Sequence, residues 1–154
     1  MEFVLELSPR NKSAYFLAVT GPGGIGISTI ITKAVHFSLE RHPIPYSECF
    51  VKVESREISD FRQMRLRIFE ALKLGVEEPT KDTLTRQIRN NWLVYIERSQ
   101  SFDIRNEDQR MLLDLCKNIN TGLEQAKTGY KVKFIVELGQ LDSSILDNHA
   151  KLCR

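Results

Sequence analysis

The chain reads as an α/β protein, a three-layer sandwich with a mainly parallel sheet of about four strands and helices on both faces. Three observations predict this. Apolar runs of strand length, at 14–20, 49–53, 92–96 and 131–136, alternate with segments whose apolar residues recur every three or four positions. A glycine-rich turn joins the first run to the first periodic segment. Glycine or proline closes most of the periodic segments, as helix ends require.

Each element follows from its residues. Residues 2–7 (EFVLEL) alternate and suit a short edge strand or an apolar linker, broken by Ser8-Pro9-Arg10-Asn11-Lys12. Residues 1–13 therefore form an extension or edge strand, and 14–154 the domain proper. The first strand is followed by a helix from about 27 to 41, with Ile30, Ile31, Ala34, Val35 and Leu39 near one face. His42-Pro43-Ile44-Pro45 stops it, because proline cannot continue a helix and holds its predecessor extended. After the strand at 49–53, Ser59 is placed to cap a helix over 60–74, in which Phe61, Met64, Ile68 and Leu72 make the buried stripe. Gly75 and Pro79 close it. Leu84, Ile88 and Trp92 suggest a third short helix, and Trp92–Ile96 (WLVYI) a buried strand. A long helix over 107–127 carries Leu112, Leu115, Cys116, Ile119 and Leu123, weakened by Gly122 and ended by Gly129. Residues 131–136 form the next strand, and the tail from Leu141 reads as one more short helix.

Composition excludes several classes. The length suits one domain with a real core. A net charge of +2 is too small to argue for nucleic acid or a membrane surface. No apolar run reaches the roughly 18 residues of a membrane helix, and the acidic N-terminus lacks the basic region of a signal peptide. Cys49, Cys116 and Cys153 are odd in number and far apart, which suits a reducing, cytoplasmic setting and no metal spacing. His36, His42 and His149 make no ligand cluster, and Ser99 and Asp103 no triad. Arg62, Arg65, Arg67, Arg86 and Arg89 are interleaved with Glu57, Asp60 and Glu70, so they read as a solvated mixed-charge surface.

The turn carries the chemistry. Gly21 and Gly26 have the spacing of the phosphate-binding loop G-x-x-x-x-G-K-[ST], Ser28 fills the hydroxyl position, and Ile27 stands at the lysine position. Glycines let successive N–H groups converge on an anion, and the helix start adds its own unpaired donors. Gly21, Gly23, Gly24, Ile25, Gly26, Ile27, Ser28 and Thr29 are the expected phosphate-binding residues. Ser28, or Thr29 in a shifted register, would reach a nucleotide-bound Mg²⁺. Losing the lysine costs about 1.5–3 kcal/mol of binding, or roughly 10- to 100-fold. It costs more in phosphoryl transfer, which rests on electrostatics. Weak nucleotide binding with little or no hydrolysis is therefore expected. The same glycines also spell G-x-G-x-x-G, with Glu54 as the acid a dinucleotide site needs on the next strand.

With those residues in view, the motif order resembles the nucleotide-binding domain of STAND NTPases, the NB-ARC or AP-ATPase group. GPGGIGIST resembles its GxGGxGK[ST]T loop, CFVKVESREISDFRQMRLRIFEAL its second strand and helix, and WLVYIE its Walker B strand, with Glu97 for the aspartate. TGYKVKFIV resembles the strand that ends in its sensor residue, although Glu137 stands where the sensor arginine would. The resemblance implies a P-loop NTPase-like sandwich that binds ATP or ADP with Mg²⁺ through Ser28 and Glu97 and switches conformation. It also implies lid or effector domains as partners. Arg98 stands where a second acid would activate water, and the fifth strand of the family's core is not evident. The chain then reads as truncated or degenerate, as a fragment incomplete at its C-terminus, or as a designed lysine variant. A second placement of the metal strand, FIVELGQ, would make Glu137 the metal residue. Glu97 is preferred because it leaves a strand between the loop strand and the metal strand, as in the common P-loop order. Two further readings stay open: a non-binding pseudo-NTPase scaffold, and a dinucleotide-dependent oxidoreductase.

Overall fold

The computed structural model describes residues 15–21, 26–40, 50–54, 58–75, 78–98, 104–139 and 150–153. In chain order these form β1 (Phe16–Thr20), α1 (Ile27–Leu39), β2 (Phe50–Val53), α2 (Phe61–Ala71) and α3 (Lys81–Gln87). Then follow β3 (Trp92–Ile96), α4 (Asn106–Gln125), β4 (Val132–Leu138) and β5 (Ala150–Cys153). The strands make one sheet in the order β2-β3-β4-β1-β5, and every neighbouring pair is parallel. β4 therefore separates β1 from β3.

The tail departs from expectation. Ala150–Cys153 is a fifth strand paired in parallel with β1, not part of a helix, and residues 141–149 lie outside the described residues. Four residues are too few to show a period, and this strand is defined by backbone pairing with β1. The expectations for residues 2–7, Cys49, Ser99, Asp103, His42 and His149 also fall outside the described residues.

Alternation along the strands builds two cores. Phe16, Ala18, Val53, Val94, Ile96, Phe134 and Val136 face α2, α3 and α4, meeting Met64, Ile68, Leu84, Leu112, Cys116 and Leu123. Val19, Leu93, Tyr95 and Ile135 face the other way, against Ile31 and Val35 of α1. Helices thus cover both faces, which parallel strands buried on both sides require. The cap of α2 is Asp60 rather than Ser59: its carboxylate accepts from Gln63 N at 2.9 Å. Ser59 N instead donates to Gln63 Oε1 at 3.0 Å, so both residues help close the helix start. Gly122 has a packing reason inside α4, since a Cβ there would meet Leu84 Cδ1 of α3 at 2.9 Å.

One buried polar side chain completes the sheet. Asn120 of α4 donates to Val132 O at 2.7 Å and accepts from Val132 N at 2.9 Å, and it also donates to Cys116 O at 2.8 Å. One rung further on, Phe134 N donates to Tyr15 O of the β1 segment. The Asn120 carboxamide therefore stands where β1 has not yet begun and gives Val132 the pair of bonds a neighbouring strand would give.

Candidate functional site

The C-terminal ends of β1, β3 and β4 meet the N-terminus of α1. Gly26 has φ +76° at the N-cap of α1, a left-handed conformation that suits glycine. Its carbonyl accepts from Ile30 N at 3.0 Å, so the N–H groups of Ile27, Ser28 and Thr29 precede the first intrahelical bond. Gly21 follows β1 directly; Gly23, Gly24 and Ile25 lie outside the described residues. Ile27 stands at the lysine position of the loop. It is half-buried and packs against the Val19–Tyr95 core beneath α1. Thr29 is exposed.

Ser28 is half-buried and donates to Glu97 Oε1 at 2.6 Å, linking α1 to the end of β3. Glu97 is held from two more directions. Its N–H extends the β2–β3 ladder to Val53 O at 3.2 Å. Its other carboxylate oxygen, Oε2, lies 2.9 Å from Lys52 Nζ of β2. Glu137 occupies the same rim one strand over, since Ile96 and Val136 are register partners. It accepts from the Tyr95 hydroxyl at 2.7 Å. Burial pushes the Tyr95 phenol well above its ordinary range; the nearby Ser28 hydroxyl pulls the other way, and Glu137 adds to the rise. Tyr95 is thus a neutral donor at physiological pH. Of the two glutamates weighed for the metal strand, the bond from Ser28 goes to Glu97, while Glu137 is bound by Tyr95. Among the described residues no three His, Cys, Asp or Glu side chains form a metal cage. A divalent ion here would draw most of its oxygens from groups other than these side chains, such as water.

Two features were not foreseen from the sequence. Lys52 interrupts the apolar run of β2, a visible oddity whose target only the strand order reveals. Arg98 lies over the end of β4, where a Cβ on Gly139 would meet its Nη2 at 2.8 Å. A guanidinium therefore sits near the rim, next in sequence to Glu97. Glu54 is exposed at the end of β2, on a cleft of about 700 Å³ shared with Lys52, Arg67 and Glu70. Acids and carbonyls answer the arginines of this surface: Arg67 pairs with Glu70 at 3.3 Å, Arg65 Nη2 lies 3.9 Å from Glu78, and Arg89 Nε, just past α3, donates to Arg86 O at 3.0 Å. That is a mixed-charge surface.

Among the described residues no helix is long and apolar enough to cross a membrane. No protein-family model matches the chain, and no curated protein matches it.

Proposed function

We propose that the chain is a regulatory nucleotide-binding domain of P-loop type, resembling the STAND/NB-ARC group, that takes ADP or ATP at residues 21–29 with weak or lost hydrolysis. One observation carries the reading: the Ser28 hydroxyl on the Glu97 carboxylate at 2.6 Å, at the mouth of the helix that follows the glycine-rich turn. The strand order supports it. β1 feeds α1 on one face, whereas β3 feeds α4 on the other, and ligands of open parallel sheets bind at the carboxyl ends of strands where connections diverge in this way. Ser28 and Glu97 are oxygen donors of the type Mg²⁺ takes, although Lys52 engages one carboxylate oxygen. Low hydrolysis follows from the uncharged Ile27 at the lysine position and Arg98 beside Glu97.

The dinucleotide reading fares worse. It needs an acid on a strand adjacent to β1, whereas Glu54 ends β2, three strand spacings or roughly 14 Å from β1. The scaffold reading has one observation in its favour: Ile30 and Phe37, seven positions apart on α1, are 62% and 64% exposed.

Thermal unfolding with ADP or ATP separates the two. A ligand at about 100 times its Kd adds roughly 2.7 kcal/mol to the folded state, which raises Tm by about 5–10 °C at this chain length. Ser28→Ala should reduce the shift. No shift at millimolar nucleotide, with or without Mg²⁺, refutes nucleotide binding and leaves the scaffold.

A further inference from the structure

We propose that Lys52 is the counter-cation of this site, so that the nucleotide phosphates are met by its ammonium and binding does not require Mg²⁺. The inference rests on the nucleotide reading above and says how that site would handle charge.

The geometry comes first. Lys52 Nζ and Ser28 Oγ are held by the two oxygens of one carboxylate, at 2.9 and 2.6 Å. An anion that reaches the amides at the start of α1 therefore arrives beside Ser28 and close to the ammonium. Lysine carries three N–H donors, and Glu97 engages one face of them. The Lys52 side chain is one-third exposed.

Charge points the same way. Glu97 and Glu137 sit side by side on the rim that the phosphates would approach. Two bare carboxylates there would repel a polyphosphate. Lys52 neutralises one, and Tyr95 hydrogen-bonds the other without adding charge. Mg²⁺ could do the neutralising instead, but it demands a nearly octahedral shell of oxygens. Here the Glu97 carboxylate bonded to Ser28 is already paired with an ammonium. The loop's own lysine position supplies no charge, because an isoleucine, Ile27, stands there. Stability gives a weak reason for the pair, since a partly exposed ion pair contributes about 0–1 kcal/mol.

The test titrates ADP calorimetrically into the full chain, once in EDTA and once in excess Mg²⁺, for wild type, Lys52→Met and Lys52→Arg. The wild type should bind with Kd values that agree within about threefold in the two buffers. Lys52→Met should lose roughly 10- to 100-fold in EDTA, the range for a lost charge-assisted bond. It should regain affinity in Mg²⁺, with Glu97 now released to the metal. Lys52→Arg should keep most of the metal-free affinity. Wild-type binding that tightens tenfold or more with Mg²⁺ overturns the proposal, a result that needs no variant to fold. Equal affinity of folded Lys52→Met and wild type in EDTA also overturns it, yet leaves the nucleotide reading standing. No wild-type binding in either buffer removes both.

Discussion

Replacing Asn120 by alanine should be among the most damaging single changes in the chain. Asn120 is 5% exposed, and its carboxamide makes both bonds of Val132 on the side where β1 is missing. Alanine leaves the Val132 N–H and C=O buried, in a site lined by Cys116 and the end of α4. Each unsatisfied buried group costs about 1–3 kcal/mol. The Cys116 thiol, 3.7 Å from Val132 O, offers the carbonyl a weak substitute. A loss of about 2–5 kcal/mol follows from two such groups, against a total stability of roughly 5–15 kcal/mol for a domain. Tm should fall by about 5–15 °C, and the urea midpoint by roughly 1–2 M. Asn118→Ala is the matched control: it lies on the exposed side of the same helix and should cost less than about 0.5 kcal/mol. Urea unfolding followed by circular dichroism measures both. If Asn120→Ala costs no more than about 1 kcal/mol beyond Asn118→Ala, the side chain is not the missing rung of the ladder.

Two further outcomes are expected. Ile27→Lys should raise ADP affinity about tenfold or more while costing roughly 1 kcal/mol of stability, because the lysine stem keeps only part of the isoleucine's packing. If Lys52 is the site's cation, the gain should be larger in a Lys52→Met background, and calorimetry on the four combinations measures that coupling. No gain in either background would place the loop register in doubt. Tyr95 holds its proton more tightly folded than unfolded, so its contribution is whole below about pH 10 and is lost as pH rises beyond that. Stability should therefore fall by up to about 1.4 kcal/mol per pH unit above pH 10 from this group. Tyr95→Phe should be flatter by that amount in urea unfolding at pH 9 to 11. Identical slopes in the two proteins would mean that Tyr95 is not held as described.

Much of the architecture is legible in the residues because burial imposes a period. WLVYI is apolar on both faces and VKFIVEL is apolar apart from Lys133 and Glu137, as interior strands tend to be, and both are interior here. The stripe of Leu112, Cys116, Ile119 and Leu123 is helical and faces the sheet. Gly26 at the start of α1 is legible because its left-handed backbone limits the residue choice. What stayed hidden depends on neighbours distant in sequence. Lys52 and Glu97 meet only because β2 lies against β3, and strand order leaves no mark on either segment alone. Tyr95 reads as plain core, and its hydroxyl gains meaning only when β4 brings Glu137 beside it. Asn120 sits in a polar stretch of α4 like any solvated residue, although it serves β4. The strand at 150–153 is specified by its backbone pairing with β1 more than by composition.

The sheet is not equally firm across its width. β1 is zipped to β4 on one flank and β5 on the other, so the turn leading into α1 springs from the middle of the fabric. Among the described residues β2, which carries Lys52, is a four-residue hem stitched on one side only. Opening is easiest where a segment has the fewest ties. The rim can therefore surrender its ammonium while the turn's anchorage stays put, and whatever loosens the hem alters the local charge before it disturbs the weave.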